Sequence, residues 1–103
     1  MSDRILHFRR KIDEFPDNPL YKYSLGQELF EQGQNKEAAC LFEDCLLAKP
    51  DWMMPALFLS KAYLALGNTE LAIKNLHITR KLATEQNHED PLHEANELLA
   101  EIE

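Results

Sequence analysis

The stretch LGQELFEQGQNKEAACLFEDCLLAKP, residues 25–50, decides the fold because the chain repeats its pattern. Residues 59–84, LSKAYLALGNTELAIKNLHITRKLAT, carry the same pattern at an offset of 34. The offset pairs leucine, glycine and alanine with themselves, as in Leu25 with Leu59, Gly33 with Gly67 and Ala38 with Ala72. A period of about 20 to 50 residues is typical of architectures in which each unit packs on the next. The sequence therefore predicts a stack of similar units.

Each unit has the spacing of two helices. Apolar residues recur every three to four positions, and no segment shows sustained two-residue alternation. Gly33 and Gly67 are predicted to end the first helix of each pair, where a left-handed backbone favours glycine. Pro16 and Pro50 stop the helices before them, and Asn18 caps the helix that follows it. We predict six helices, at residues 3–14, 19–32, 36–48, 53–66, 70–85 and 91–102.

The repeat resembles the tetratricopeptide repeat (TPR), a helix–turn–helix unit of 34 residues. The matching positions are Leu25, Gly26, Leu29, Gly33, Ala38, Phe42, Cys45 and Pro50 in the first copy, and Leu59, Ser60, Tyr63, Gly67, Ala72, Leu76 and Thr79 in the second. The sequence departs from the motif at Lys22 and Ala56, where a large apolar residue is usual, and at Thr84, where proline is usual. The resemblance implies an all-α fold of antiparallel helix pairs, stacked as a solenoid with a right-handed superhelix.

The same offset organises the whole chain. Phe8 and Pro16 match Phe42 and Pro50, so the N-terminus is interpreted as the second helix of an incomplete repeat. The last segment has an apolar stripe and an acidic outer face, which is typical of a helix that caps a solenoid. We predict one TPR-like domain over residues 1–103, with a half-repeat helix (1–18), two complete repeats (19–52 and 53–86) and a capping helix (87–103).

The resemblance also implies a concave groove, since the first helix of each TPR lines that side. The positions that would face it are Leu20, Tyr23, Gln27, Phe30, Glu31, Met54, Leu57, Lys61, Leu64 and Ala65, with His93 and Glu97 on the last helix closing the far side. This set is more apolar than solvent-facing positions usually are, and a contiguous apolar patch marks an interaction site. Some of these side chains can instead pack against the terminal helices. The set favours a groove for a helix or an extended peptide.

The class of partner is narrowed by charge and by one missing motif. The net charge is −7, from 18 acidic and 11 basic residues, which disfavours nucleic acid and anionic membrane surfaces. TPR domains that hold the C-terminal carboxylate of heat-shock chaperones use Lys and Asn where this chain has Tyr23 and Gln27. That ligand is therefore disfavoured. The predicted partner is another polypeptide, basic or neutral.

Enzymatic and metal-binding alternatives have little support. The two histidines of HEDPLHE, residues 88–94, lie five positions apart instead of the four that place two ligands on one helix face. Cys45 occupies a position that is buried in the repeat, and Cys40 has no histidine linked to it by the motif. We therefore predict no catalytic residue, no cofactor and no metal.

Self-association is the other function that the sequence leaves open. The first helix lacks its pair, so a homodimer could cover that edge, or the apolar groove could itself be the self-association surface. Residues 1–11 are basic and residues 85–103 hold seven acids without Lys or Arg, which would favour head-to-tail contact. The alternative is that both charged ends are simply solvated. A homodimer would not exclude peptide binding.

A cytoplasmic location is predicted from the chain as a whole. It contains no signal-peptide-like apolar run, and no stretch approaches the roughly 18 apolar residues of a membrane span. Cys40 and Cys45 are about 140° apart on a helix, so their thiols diverge and are expected to stay reduced.

Overall fold

Residues 3–103 are described by the computed structural model, and they form six α-helices. The helices are α1 Asp3–Glu14, α2 Pro19–Glu31, α3 Asn35–Ala48, α4 Met53–Ala65, α5 Thr69–Glu85 and α6 Glu89–Ile102. No strand occurs within the described range. The all-α prediction is confirmed, and each helix begins and ends within two residues of its predicted bounds.

The breaks between helices have the local chemistry that the repeat predicts. Gly33 and Gly67 adopt φ values of +80° and +79°, which end α2 and α4 in the left-handed region. The Asn18 side chain accepts a hydrogen bond from the Leu20 amide at 3.1 Å and caps α2. Asn87, with φ of 59°, takes the place of a glycine after α5, because asparagine tolerates this conformation better than most residues.

The last helix begins earlier than predicted. Proline was expected to mark its start, but α6 begins at Glu89 and includes Pro91 in its first turn. The first amides of a helix have no partner within it, so a residue without an N–H is tolerated there. Pro55 occupies the same place in α4. A proline therefore predicted the position of this helix start only to within one turn.

The helices form two layers. Each helix packs on the next along the chain, and α2, α4 and α6 also contact one another in sequence. The outer helices α1, α3 and α5 make no comparable contacts with one another within residues 3–103. Because the inner layer is closer packed than the outer one, the stack curves, with α2, α4 and α6 on the concave side.

The core runs along the stack between the two layers. Phe42 of α3 is fully buried and packs with Leu25, Leu29 and Leu59 of the inner helices. A second cluster, defined by Leu57, Leu76, Ala95 and Leu99, fills the space beneath α6. The curved stack is thus held by contacts between successive helices, and both ends of the inner layer remain tied to the core.

Candidate functional site on the concave face

Four aromatic rings meet at the seam between α2 and α4. Tyr23 lies 5.0 Å from Trp52 and 6.1 Å from Phe58, measured between ring centroids, and Phe30 lies 5.9 Å from Phe58. The buried Phe42 stacks behind Phe58 at 5.6 Å. Tyr23, Phe30, Trp52 and Phe58 are each half-buried, and together we call them the concave aromatic cluster. Their rings fill the seam, so the face is a shallow apolar platform.

Polar groups border the concave aromatic cluster. The Gln27 amide donates a hydrogen bond to the Tyr23 hydroxyl at 3.2 Å. The Lys61 ammonium lies 5.2 Å from the centre of the Phe58 ring and is ion-paired with Glu94 of α6. Lys61 thus joins α4 to α6 across the concave side, while its charge is balanced by a carboxylate and a ring face.

Burial further favours the neutral form of the tyrosine in the cluster. The pKa of Tyr23 is raised, chiefly because its partly buried hydroxyl is withdrawn from water. The hydroxyl therefore stays protonated at physiological pH and accepts from Gln27 with a donor hydrogen still available. The platform presents a neutral hydrogen-bonding group at its centre.

The structure distributes the predicted groove residues among three environments. Leu20, Glu31, Ala65, His93 and Glu97 are exposed, Tyr23, Gln27, Phe30, Met54, Lys61 and Leu64 are half-buried, and Leu57 is buried. His93 and Glu97 pair with each other on α6, at 2.8 Å. Met54 packs against the cluster beneath α6. The side chains brought together directly are those around the concave aromatic cluster and Lys61.

The placement of Leu57 in the groove is corrected by the structure. This side chain is only 1% exposed, because α6 covers it and brings Ala95 and Leu99 into contact with it. A glutamate at position 57 would bury a charge in that cluster and unfold the domain. Leu57 is a core residue and is not available to a partner.

The repeat pattern does not mark two of the rings in the concave aromatic cluster. Trp52 lies directly before α4, and Phe58 lies one residue beyond the groove position that the TPR resemblance marks. The 34-residue offset gives no signal for either, because the equivalent residues of the first repeat are Asn18 and Ser24. Only the packing of α4 on α2 shows that these rings complete the surface.

The two cysteines lie in different environments. Burial raises the pKa of the Cys45 thiol to about 12, so it stays protonated and unreactive, while Cys40 is exposed and free. Among residues 3–103, no three His, Cys, Asp or Glu side chains converge as metal ligands would. None of the helices described here has the length and apolar character needed to cross a bilayer.

The comparisons with known proteins agree with this architecture. The crystal structure of a tetratricopeptide repeat domain protein from Salinibacter ruber is similar, with a TM-score of 0.75 and 26% sequence identity. The match covers 82% of this chain and 94% of that one. No family model and no curated protein matches the sequence. Folds of this type generally mediate binding to other polypeptides. The chain thus has the tetratricopeptide-repeat-like fold that its 34-residue pattern predicts.

Proposed function

We propose that the chain is a protein-interaction module, without catalytic activity, that binds a basic and partly apolar polypeptide segment on its concave face. The observation that carries this proposal is the concave aromatic cluster. Aromatic side chains are enriched among the residues that dominate binding energy at protein interfaces. A shallow platform suits a helix or an extended peptide better than a small molecule, which needs an enclosing cavity.

The charge beside the platform supports a basic partner. Helix α6 carries five carboxylates, and residues 82–103 contain no Lys or Arg. Lys61 is already paired with Glu94, so it adds little positive potential to the groove. An apolar strip flanked by an acidic helix is complementary to a segment in which Lys or Arg surrounds an aromatic or aliphatic anchor.

The proposal can be tested without labelling, because Trp52 is the sole tryptophan and belongs to the platform. A displayed library of random peptides would be selected on the intact chain, and the selected peptides titrated while Trp52 fluorescence is recorded. We expect selected sequences to combine apolar anchors with Lys or Arg. Phe30→Ala should weaken their binding by about ten-fold or more, and Glu97→Lys should weaken it through charge alone.

Leu66→Asp provides the matched control, since Leu66 is exposed at the end of α4 and lies outside the platform. It should leave both the fluorescence change and the affinity intact. Far-ultraviolet circular dichroism would establish that Phe30→Ala remains helical. Selection that yields no binding peptide, or equal binding by Phe30→Ala, would contradict the proposal.

We place this function in the cytoplasm. The support is the Cys40 thiol, which is exposed on the surface of α3. An exposed free thiol persists in a reducing compartment and is readily oxidised outside one. Fractionation of cells that produce the chain, with the redox state of Cys40 read by thiol labelling, tests this placement.

A further inference from the structure

The convex face carries two crevices that are related by the repeat. The first crevice lies between α1 and α3 over Ile12 and Leu25, and the second lies between α3 and α5 over Leu46 and Leu59. These floor residues match at the offset of 34. The crevices are similar in size, about 280 and 340 Å³. Any difference between them therefore lies in the chemistry of their rims.

The rim of the first crevice is charged and bridged. Arg9 of α1 reaches Glu37 of α3 with two hydrogen bonds, at 2.8 and 3.1 Å. Asp13 completes this rim on α1. A bidentate pair of this kind holds both side chains across the gap. Charged side chains thus line the rim of the first crevice.

The rim of the second crevice replaces two of these three charged groups with leucines. The repeat-equivalents of Arg9, Asp13 and Glu37 are Glu43, Leu47 and Leu71. Leu47 is 83% exposed and Leu71 is 38% exposed. The same crevice therefore has a charged, bridged rim in one copy of the repeat and a rim with two exposed leucines in the other. Exposed leucines that border a crevice, where the sister positions are charged, favour a contact surface.

The charges beside the second crevice identify that molecule. On the α3 side, Glu43 accepts a hydrogen bond from the Tyr63 hydroxyl, which holds its carboxylate at the rim. On the α5 side, Lys74 and Lys81 share a helix face with Leu71 and Ile78, and neither lysine forms an ion pair within residues 3–103. The face thus has an acidic wall, a basic wall and a protruding leucine. Such a surface is complementary to itself under a two-fold rotation.

We propose that the second crevice is the contact surface of a symmetric dimer of this chain. Leu47 of each copy enters the crevice of the other. Glu43 of each copy faces Lys74 of the other, so the two walls pair twice. The dimer buries the two exposed leucines of the rim and joins the copies through their convex sides.

The outer face of α1 is a poorer contact surface. Arg4 and Lys11 of α1 occupy the positions of the fully buried Ala38 and Cys45 in the next helix pair. Arg4 is ion-paired with Glu28 of α2, at 2.6 Å. Charged residues therefore stand on the face of α1 that corresponds to a buried face of α3, and association there would have to desolvate them.

The first test is sedimentation equilibrium of the full chain over a concentration series. We expect a dimer for the natural sequence. Leu47→Asp copies Asp13, and the double variant Glu43→Arg with Leu71→Glu copies the Arg9–Glu37 bridge. Each should weaken association by about ten-fold or more, while Leu66→Asp should not. A natural chain that stays monomeric throughout the series, or a Leu47→Asp chain that associates like it, would overturn the dimer.

A mixing experiment tests the symmetry itself. Glu43→Lys and Lys74→Glu each place like charges opposite one another twice in a homodimer, so each alone should associate about ten-fold more weakly or worse. In a mixed dimer of the two variants, both contacts regain opposite charges. An equimolar mixture should therefore associate more tightly than either variant alone. A mixture no tighter than its components would reject the proposed pairing, and helicity measurements on each variant control for loss of the fold.

Discussion

At the scale of single residues, the two repeats pack the same helix contact with different pairs of side chains. A Cβ atom added to Gly26 would lie 2.7 Å from Cε1 of Phe42, well inside van der Waals contact. The equivalent pair in the second repeat is Ser60 with Leu76. The repeat with the larger residue, Phe42, thus has glycine at the facing position, and the repeat with the smaller Leu76 has serine there. Phe42 cannot move away, since it is fully buried and stacked on Phe58.

This pairing predicts the effect of introducing the residues of the second repeat into the first. Gly26→Ser should reduce the free energy of unfolding by about 1–3 kcal/mol, because overpacking outweighs the better helix propensity of serine. Adding Phe42→Leu should cost less in that background than in the natural chain, with a coupling energy of at least ~0.5 kcal/mol. Urea denaturation of the four chains in the cycle measures both quantities. If the losses in free energy of unfolding are additive, or if the Gly26→Ser chain is more stable, Gly26 and Phe42 are not coupled as described.

At the scale of helices, α6 decides which residues belong to the groove. Its apolar stripe is readable from the sequence, and Ala95 and Leu99 are buried as that stripe predicts. Periodicity shows which face of a helix is buried but not which neighbour it meets. It therefore could not show that α6 would cover Leu57, or that Phe58 would turn toward α2. The helices and their glycine turns were predictable because their signals are local, whereas the groove depends on contacts between helices distant in sequence.

The capping role of α6 predicts a contrast between two adjacent leucines. Leu99 is 3% exposed within the cluster that contains Leu57, whereas Leu98 is only half-buried beside it. Leu99→Ala should lower the free energy of unfolding by about 2–5 kcal/mol through the cavity it leaves. Leu98→Ala should cost distinctly less, because its surroundings already include solvent. Chemical denaturation compares the two, and equal losses would show that α6 does not pack as described.

At the scale of the whole molecule, the two proposed surfaces lie on opposite sides of the stack. The platform belongs to the inner helices, and the second crevice lies between outer helices. A dimer formed through the convex sides would leave both concave faces open. Two binding sites joined in this way raise the apparent affinity for a partner that carries two matching segments, because the second contact is intramolecular.

The separation of acid and base along the chain predicts how binding responds to salt. The groove is flanked by the acidic α6, while the basic residues of α1 lie at the other end of the stack. Affinity for a basic peptide, followed by Trp52 fluorescence, should fall as ionic strength rises from ~0.01 M to ~1 M, because the Debye length shrinks from ~30 to ~3 Å. The double variant Glu97→Lys with Glu101→Lys should bind more weakly and with a flatter salt dependence. If affinity depends on salt equally in the two chains, the charges of α6 do not contribute to binding. The aromatic platform would then be the determinant of affinity.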